Sequence, residues 1–175
     1  MTSSGRRYAA LSLALAAVAM TTSSCSPEWT GALGLTRDET GQILLIAVTC
    51  GAELDQVQMF RQRASTDGGR PTVGSWAHGD GLGGTVVLPL TQPDGSDGWT
   101  ATDPWDGDVE PDAIYELSGN GGSVLTHNYV GPLGFYGSQL DGVKPGVILR
   151  QVRADRAPEL VHETVEEFSA AACEV

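Results

Sequence analysis

Apolar residues recur along the chain in short runs separated by clusters of Gly, Asp, Pro and Ser, the pattern of strands and turns rather than of long helices. The run 43–48 (ILLIAV) is apolar on both pleat faces, so it is expected in the middle of a sheet with both faces covered. After Gly51 the pattern changes. Leu54, Gln56, Gln58 and Phe60 alternate with Asp55, Val57, Met59 and Arg61, as in a half-buried strand. Residues 32–36 read as a first strand, joined to 43–48 by the turn 37–41. Residues 61–80 read as loop-rich, with a short strand ending at Trp76. Residues 85–91 (TVVLPLT) are strand-like, and Pro89 confines them to an edge or a bulge. Further strands are expected at 99–102, 113–117, 124–130, 133–136 and 146–152, with a hairpin turn at 118–122. The sum is a mainly β protein, a single antiparallel sandwich or small barrel-like domain.

The end of the chain departs from this. Thr164-Val165-Glu166-Glu167 has the Thr-x-x-Glu form of a capping box, and Val165, Phe168 and Ala172 then share one helical face. A short helix over 165–172 is predicted, turning Phe168 inward and carrying Cys173 toward Cys50.

Residues 1–24 read as an export leader: Arg6 and Arg7, then an apolar run of 13 residues at 8–20, then small polar residues. That run is shorter than the about 20 residues a membrane span needs. Thr22-Ser23-Ser24-Cys25 resembles a bacterial lipobox, with Thr22 standing where leucine is usual. The rival is ordinary cleavage after Ala17-Val18-Ala19. The cysteine count decides. Cleavage there leaves three cysteines in an oxidising space, whereas lipidation of Cys25 leaves Cys50 and Cys173 as a natural pair. The expected organisation is a leader at 1–24, a lipidated tether at 25–30 and one extracytoplasmic domain at 31–175, held to the membrane through acyl chains on Cys25.

Charge removes one class of partner. No acidic residue lies in the leader, so after its loss eight basic residues face 22 acidic ones, 14 net negative charges. A nucleic-acid binder needs the opposite sign. Lys144 is the one lysine against nine arginines, the usage of a GC-rich genome. The segment Phe135-Tyr136-Gly137-Ser138-Gln139-Leu140-Asp141-Gly142-Val143-Lys144-Pro145-Gly146-Val147, with Glu167-Phe168 before the last cysteine, Cys173, resembles small secreted proteins and lipoproteins of actinobacteria. The resemblance covers about 40 residues. It implies export and a disulfide, and carries no catalytic residue across.

Several strings approach known chemistry without reaching it. Gly79-Asp80-Gly81-Leu82-Gly83-Gly84 spells G-x-G-x-x-G, but a loop precedes it and the β-branched Thr85-Val86-Val87 follows, so a flexible surface loop is expected in place of a nucleotide site. His162-Glu163 opens like H-E-x-x-H, yet Glu166 stands where the second histidine belongs. His78 and His127 have no evident metal partner in the sequence, and surface or hydrogen-bonding roles are expected for both. Asp94, Asp97, Asp103, Asp106, Asp108, Glu110 and Asp112 concentrate carboxylates, but no register satisfies a calcium loop: with Gly98 or Gly107 at the sixth place, Pro93 or Thr102 stands first.

Trp76 and Trp105, in Gly/Asp-rich surroundings, are candidates for an exposed binding surface with Asp103, Asp106 and Asp108, while Trp99 fits a core. No catalytic residue, metal site or cofactor is assigned. The leading expectation is a membrane-anchored, non-catalytic lipoprotein that binds an envelope partner or supports the envelope. The alternative is a receptor for a small ligand or cell-wall saccharide, calcium-assisted or not, using loop tryptophans and carboxylates. A hydrolase with an unrecognised site stands third.

Overall fold

A computed structural model describes residues 29–62, 70–92, 96–122, 128–153 and 158–174. The leader, Cys25, Asp94 and His127 lie outside the described residues. Among the described residues ten strands form: β1 (Gly31–Arg37), β2 (Ile43–Thr49), β3 (Leu54–Gln62), β4 (Thr72–Leu82), β5 (Thr85–Pro89), β6 (Trp99–Asp103), β7 (Ile114–Gly121), β8 (Asn128–Tyr136), β9 (Val147–Arg153) and β10 (Pro158–Thr164). A helix, α1 (Val165–Ala171), follows. The strands make two five-stranded antiparallel sheets, β10-β9-β1-β2-β5 and β6-β4-β3-β7-β8. One core joins their inner faces: Leu33, Leu35, Leu45, Leu88 and Leu149 of the first sheet pack against Val57, Met59, Trp76, Leu117 and Leu133 of the second. The fold is thus the expected antiparallel sandwich.

β2 explains its own lack of period. Ile43, Leu45 and Ala47 enter the main core, while Ile46 and Val48 face outward beneath α1 with Ile148, Phe168 and Ala172. Both faces are covered, so both are apolar. On β1, a Cβ at Gly34 would stand 2.3 Å from Cγ2 of Ile148 and 3.4 Å from the Phe168 ring, so glycine is what lets the helix settle on the sheet.

The cap of α1 is the one the sequence predicts. Thr164 Oγ1 accepts from Glu167 N–H at 3.2 Å, and the Glu167 carboxylate accepts from Thr164 N–H at 2.8 Å. The Thr164 N–H first, then its hydroxyl, holds the Glu167 carboxyl below its ordinary value. Cys173 is bonded to Cys50, with the two Cα atoms 5.6 Å apart. Asp38 organises the β1–β2 turn, accepting from the Thr40 hydroxyl at 2.7 Å and from the N–H groups of Thr40 and Gln42 at 2.8 and 2.9 Å. The Thr40 hydroxyl is the largest cause of its lowered pKa.

Four sequence expectations are corrected. The loop-rich region holds β4, an eleven-residue strand. Gly74 on that strand makes room for an indole, because a Cβ there would lie 2.5 Å from Cη2 of Trp76, whose ring covers it. The supposed flexible loop at 79–84 is the end of β4 and the tight passage into β5 of the other sheet, pinned by Gly84 N–H to Thr49 Oγ1 at 2.8 Å and Thr49 N–H to Gly84 O at 2.9 Å. The expected turn at 118–122 begins too early. β7 runs on to Gly121, where a Cβ would meet the Glu53 carbonyl oxygen at 1.7 Å. The strand pieces around 128–136 are one strand, β8, and β10 was not anticipated at all. Pro89 does sit on an edge, since β5 ends the first sheet.

Candidate functional site: an acidic cleft at one end of the sandwich

After β6 the chain crosses the ends of β3 and β4 before entering β7, and this segment, 104–113, forms one wall of a cleft of 610 Å³. Its anchor is Trp105, which is only 5 % exposed and belongs to the main core. Polar contacts fix the rest. Asp106 Oδ1 accepts from Asp108 N–H at 2.9 Å, and Glu110 N–H donates to the Tyr115 hydroxyl at 3.0 Å. Ser138 N–H donates to Pro111 O at 2.9 Å and Gly137 N–H to Ala113 O at 3.0 Å, tying the segment to the 3-10 turn Gly137–Gly142. The wall is thus held at both its buried and its outer side.

Among the described residues the cleft brings together Asp103, Asp106, Asp108 and Glu110 with a single cation, Arg61. All four carboxylates are exposed. Arg61 is ion-paired to Glu110, which leaves the three aspartates without a paired cation among the described residues around the opening. Glu110 belongs to the acidic stretch the sequence shows, but Arg61 and Tyr115 were not among the residues the sequence singles out for a site. Register brings them in: Arg61 of β3 lies opposite Tyr115 of β7, and only that pairing sets both beside the 104–113 segment. The signal available in the sequence was a lone arginine closing an alternating strand.

The tryptophan expectation is corrected. Trp76 is fully buried and Trp105 nearly so, so neither presents an exposed ring face for stacking. Their Gly/Asp-rich neighbours mark strand ends and turns, whereas the indoles point into the sandwich. Trp99 is also in the core, as expected for it. Trp105 does line the cleft floor, with Asp103, Asp106 and Asp108 around it.

His78 lies elsewhere, against Trp99 with ring centroids 5.6 Å apart. Its Nδ1 accepts from Asp80 N–H at 3.3 Å, which assigns the proton to Nε2 and makes that nitrogen the donor to Asp97 O at 2.9 Å. Both nitrogens are thus engaged with main chain. Glu163 of the H-E string is paired with Arg150, Nε to Oε1 at 2.6 Å and Nη2 to Oε2 at 3.2 Å. Among the described residues no group of three or more His, Cys, Asp or Glu is placed to hold a metal ion, so the calcium-assisted variant finds no converging ligand set there. No described helix is long and apolar enough to cross a membrane. Comparison with known protein families, with curated proteins and with solved structures finds no match to this chain.

Proposed function

We propose that the protein is a lipid-anchored, extracytoplasmic, non-catalytic binding module whose acidic cleft takes a small cationic ligand, an amine or a guanidinium. The observation that carries this reading is the gathering of Asp103, at the end of β6, with Asp106 and Asp108 of the 104–113 segment around a cleft whose one described cation is already paired. Field lines focused by a concave acidic wall raise the local concentration of cations and speed their arrival. Burial of the Trp105 ring favours this ligand over a saccharide, which would use an exposed aromatic face. The anchoring half of the reading rests on Cys25 and the resemblance of Ser23-Ser24-Cys25 to a lipobox.

Titration calorimetry with spermidine, arginine ethyl ester, a neutral disaccharide and calcium chloride tests the ligand class. Heat is expected with the first two, weakening as salt is raised and lost in the Asp103→Asn/Asp106→Asn/Asp108→Asn variant. Binding of the disaccharide alone would move the assignment to a saccharide receptor, and a flat response to both organic cations would end the cationic reading.

A further inference from the structure

The two ends of the sandwich differ in what they carry. Along β8, Tyr129 lies near one end and Phe135 near the other, six residues or about 20 Å apart at ~3.3 Å per residue. Phe135 pairs with Tyr115 of the acidic cleft. At the Tyr129 end the described chain begins: Trp29 bridges Tyr129, Thr30 N–H donates to Tyr129 O at 3.0 Å, and the two aromatic rings meet edge to face at 5.7 Å. The Cys50–Cys173 bond closes the same end, since Thr49 pairs with Gly31. Beside the aromatic pair lies a groove of 430 Å³, with Leu33, Pro132 and Ala171 along it and Arg150 and Glu174 at its polar side.

We infer that this end is the face the protein lays on the bilayer, with Trp29 and Tyr129 seated in the headgroup layer and the acidic cleft turned away from the membrane. The inference rests on the proposed lipidation of Cys25. From Cys25 to Trp29 is four residues, which reach at most about 14 Å when fully extended. A lipid in the membrane therefore holds Trp29 within or next to the interfacial layer, whatever path the intervening residues take. Trp and Tyr favour that layer, because each has an apolar body and one polar group. The groove offers the same mixture of apolar wall and polar rim. Electrostatics adds nothing attractive: with eight basic residues against 22 acidic ones after leader removal, the body is repelled by anionic lipid. The contact is thus aromatic and apolar in character, and on a zwitterionic bilayer it is independent of salt.

The four tryptophans make this readable. Trp76, Trp99 and Trp105 are 0, 2 and 5 % exposed, whereas Trp29 is half-buried at the tether end, so quenching by lipid reports chiefly on Trp29. The full lipidated protein is reconstituted in vesicles of phosphatidylcholine brominated near the headgroup. A partial drop in tryptophan emission is expected, unchanged at about 1 M salt, and absent from Trp29→Phe and Trp29→Tyr. Acylated, vesicle-bound wild type whose emission matches that in unbrominated vesicles overturns the docking while leaving the anchor intact, and so does quenching that survives both substitutions. A mass showing no acyl chain on Cys25 overturns the anchor and the docking together.

Discussion

The two ends of this sandwich are stabilised by different physics. Toward the tether end a covalent bond and an apolar face combine: α1 starts level with Arg37 and runs back along the first sheet, Phe168 is fully buried against Ile46, Val48 and Ile148, and Cys173 beyond the helix is tied to Cys50. At the cleft end the 104–113 segment is held by one buried indole and a set of hydrogen bonds, with its carboxylates in water. Burial and chain entropy contribute several kcal/mol per feature, whereas exposed charge contributes little. The tether end therefore carries stability, and the cleft end is free to carry exposed charge at little cost to the fold.

The largest effect expected on breaking that contrast comes from the disulfide. The bond spans 123 residues of sequence, and loss of the constraint it places on the unfolded chain corresponds to about 4–5 kcal/mol. Reduction, or Cys50→Ser with Cys173→Ser, is expected to lower the denaturant midpoint by that equivalent. Little change in midpoint would show that the helix is held by packing alone. Phe168→Ala comes next, at about 3–5 kcal/mol for a fully buried phenyl ring whose site cannot collapse against a sheet. Equilibrium unfolding of the oxidised variant measures it.

The helix cap ranks third. Thr164→Ala removes the side-chain acceptor for Glu167 N–H and is expected to cost about 1 kcal/mol. The cap also ties stability to pH. Because the folded-state pKa of Glu167 is depressed, its contribution is present above the ordinary carboxylate range and is lost as pH falls through the folded value. The melting temperatures of wild type and Glu167→Gln are accordingly expected to converge on acidification. A constant gap from neutral to acidic pH would mean that the carboxylate does not act through its charge.

The same contrast shows what a sequence reveals. The helix that leads to the tether end was legible because its features are local: the capping box lies within four residues, and the apolar face of α1 repeats at helical spacing. β2 announced its double burial by losing its alternation. The cleft was half legible. Asp103, Asp106 and Asp108 cluster in sequence, but Arg61 and Tyr115 reach them only through the pairing of β3 with β7. The tryptophans misled because flanking Gly and Asp describe the backbone and say nothing of where a side chain points; Trp76 fills the inner pleat over Gly74. β4 was hidden by its glycines, and β10 by polar residues, since as an edge strand it sends mainly Leu160 toward the core.

The smallest effect is also the sharpest test of the division of labour. Arg61 and Glu110 are 26 and 67 % exposed, and a pair so open to water is expected to couple by less than about 1 kcal/mol in a double-mutant cycle. Arg150 and Glu163, at 14 and 13 %, lie beside α1 with the guanidinium over the Phe168 ring, and their coupling is expected to be the larger of the two. Ligand binding should rank the same arginines in reverse. Arg61→Ala removes the one described cation of the cleft and is expected to tighten binding of spermidine while scarcely moving the unfolding midpoint. Arg150→Ala, at the other end of the molecule, is expected to lower stability and leave spermidine binding unchanged. If Arg61→Ala weakens spermidine binding instead, the Arg61–Glu110 pair acts by holding the cleft wall in place, and that outweighs the relief of its charge.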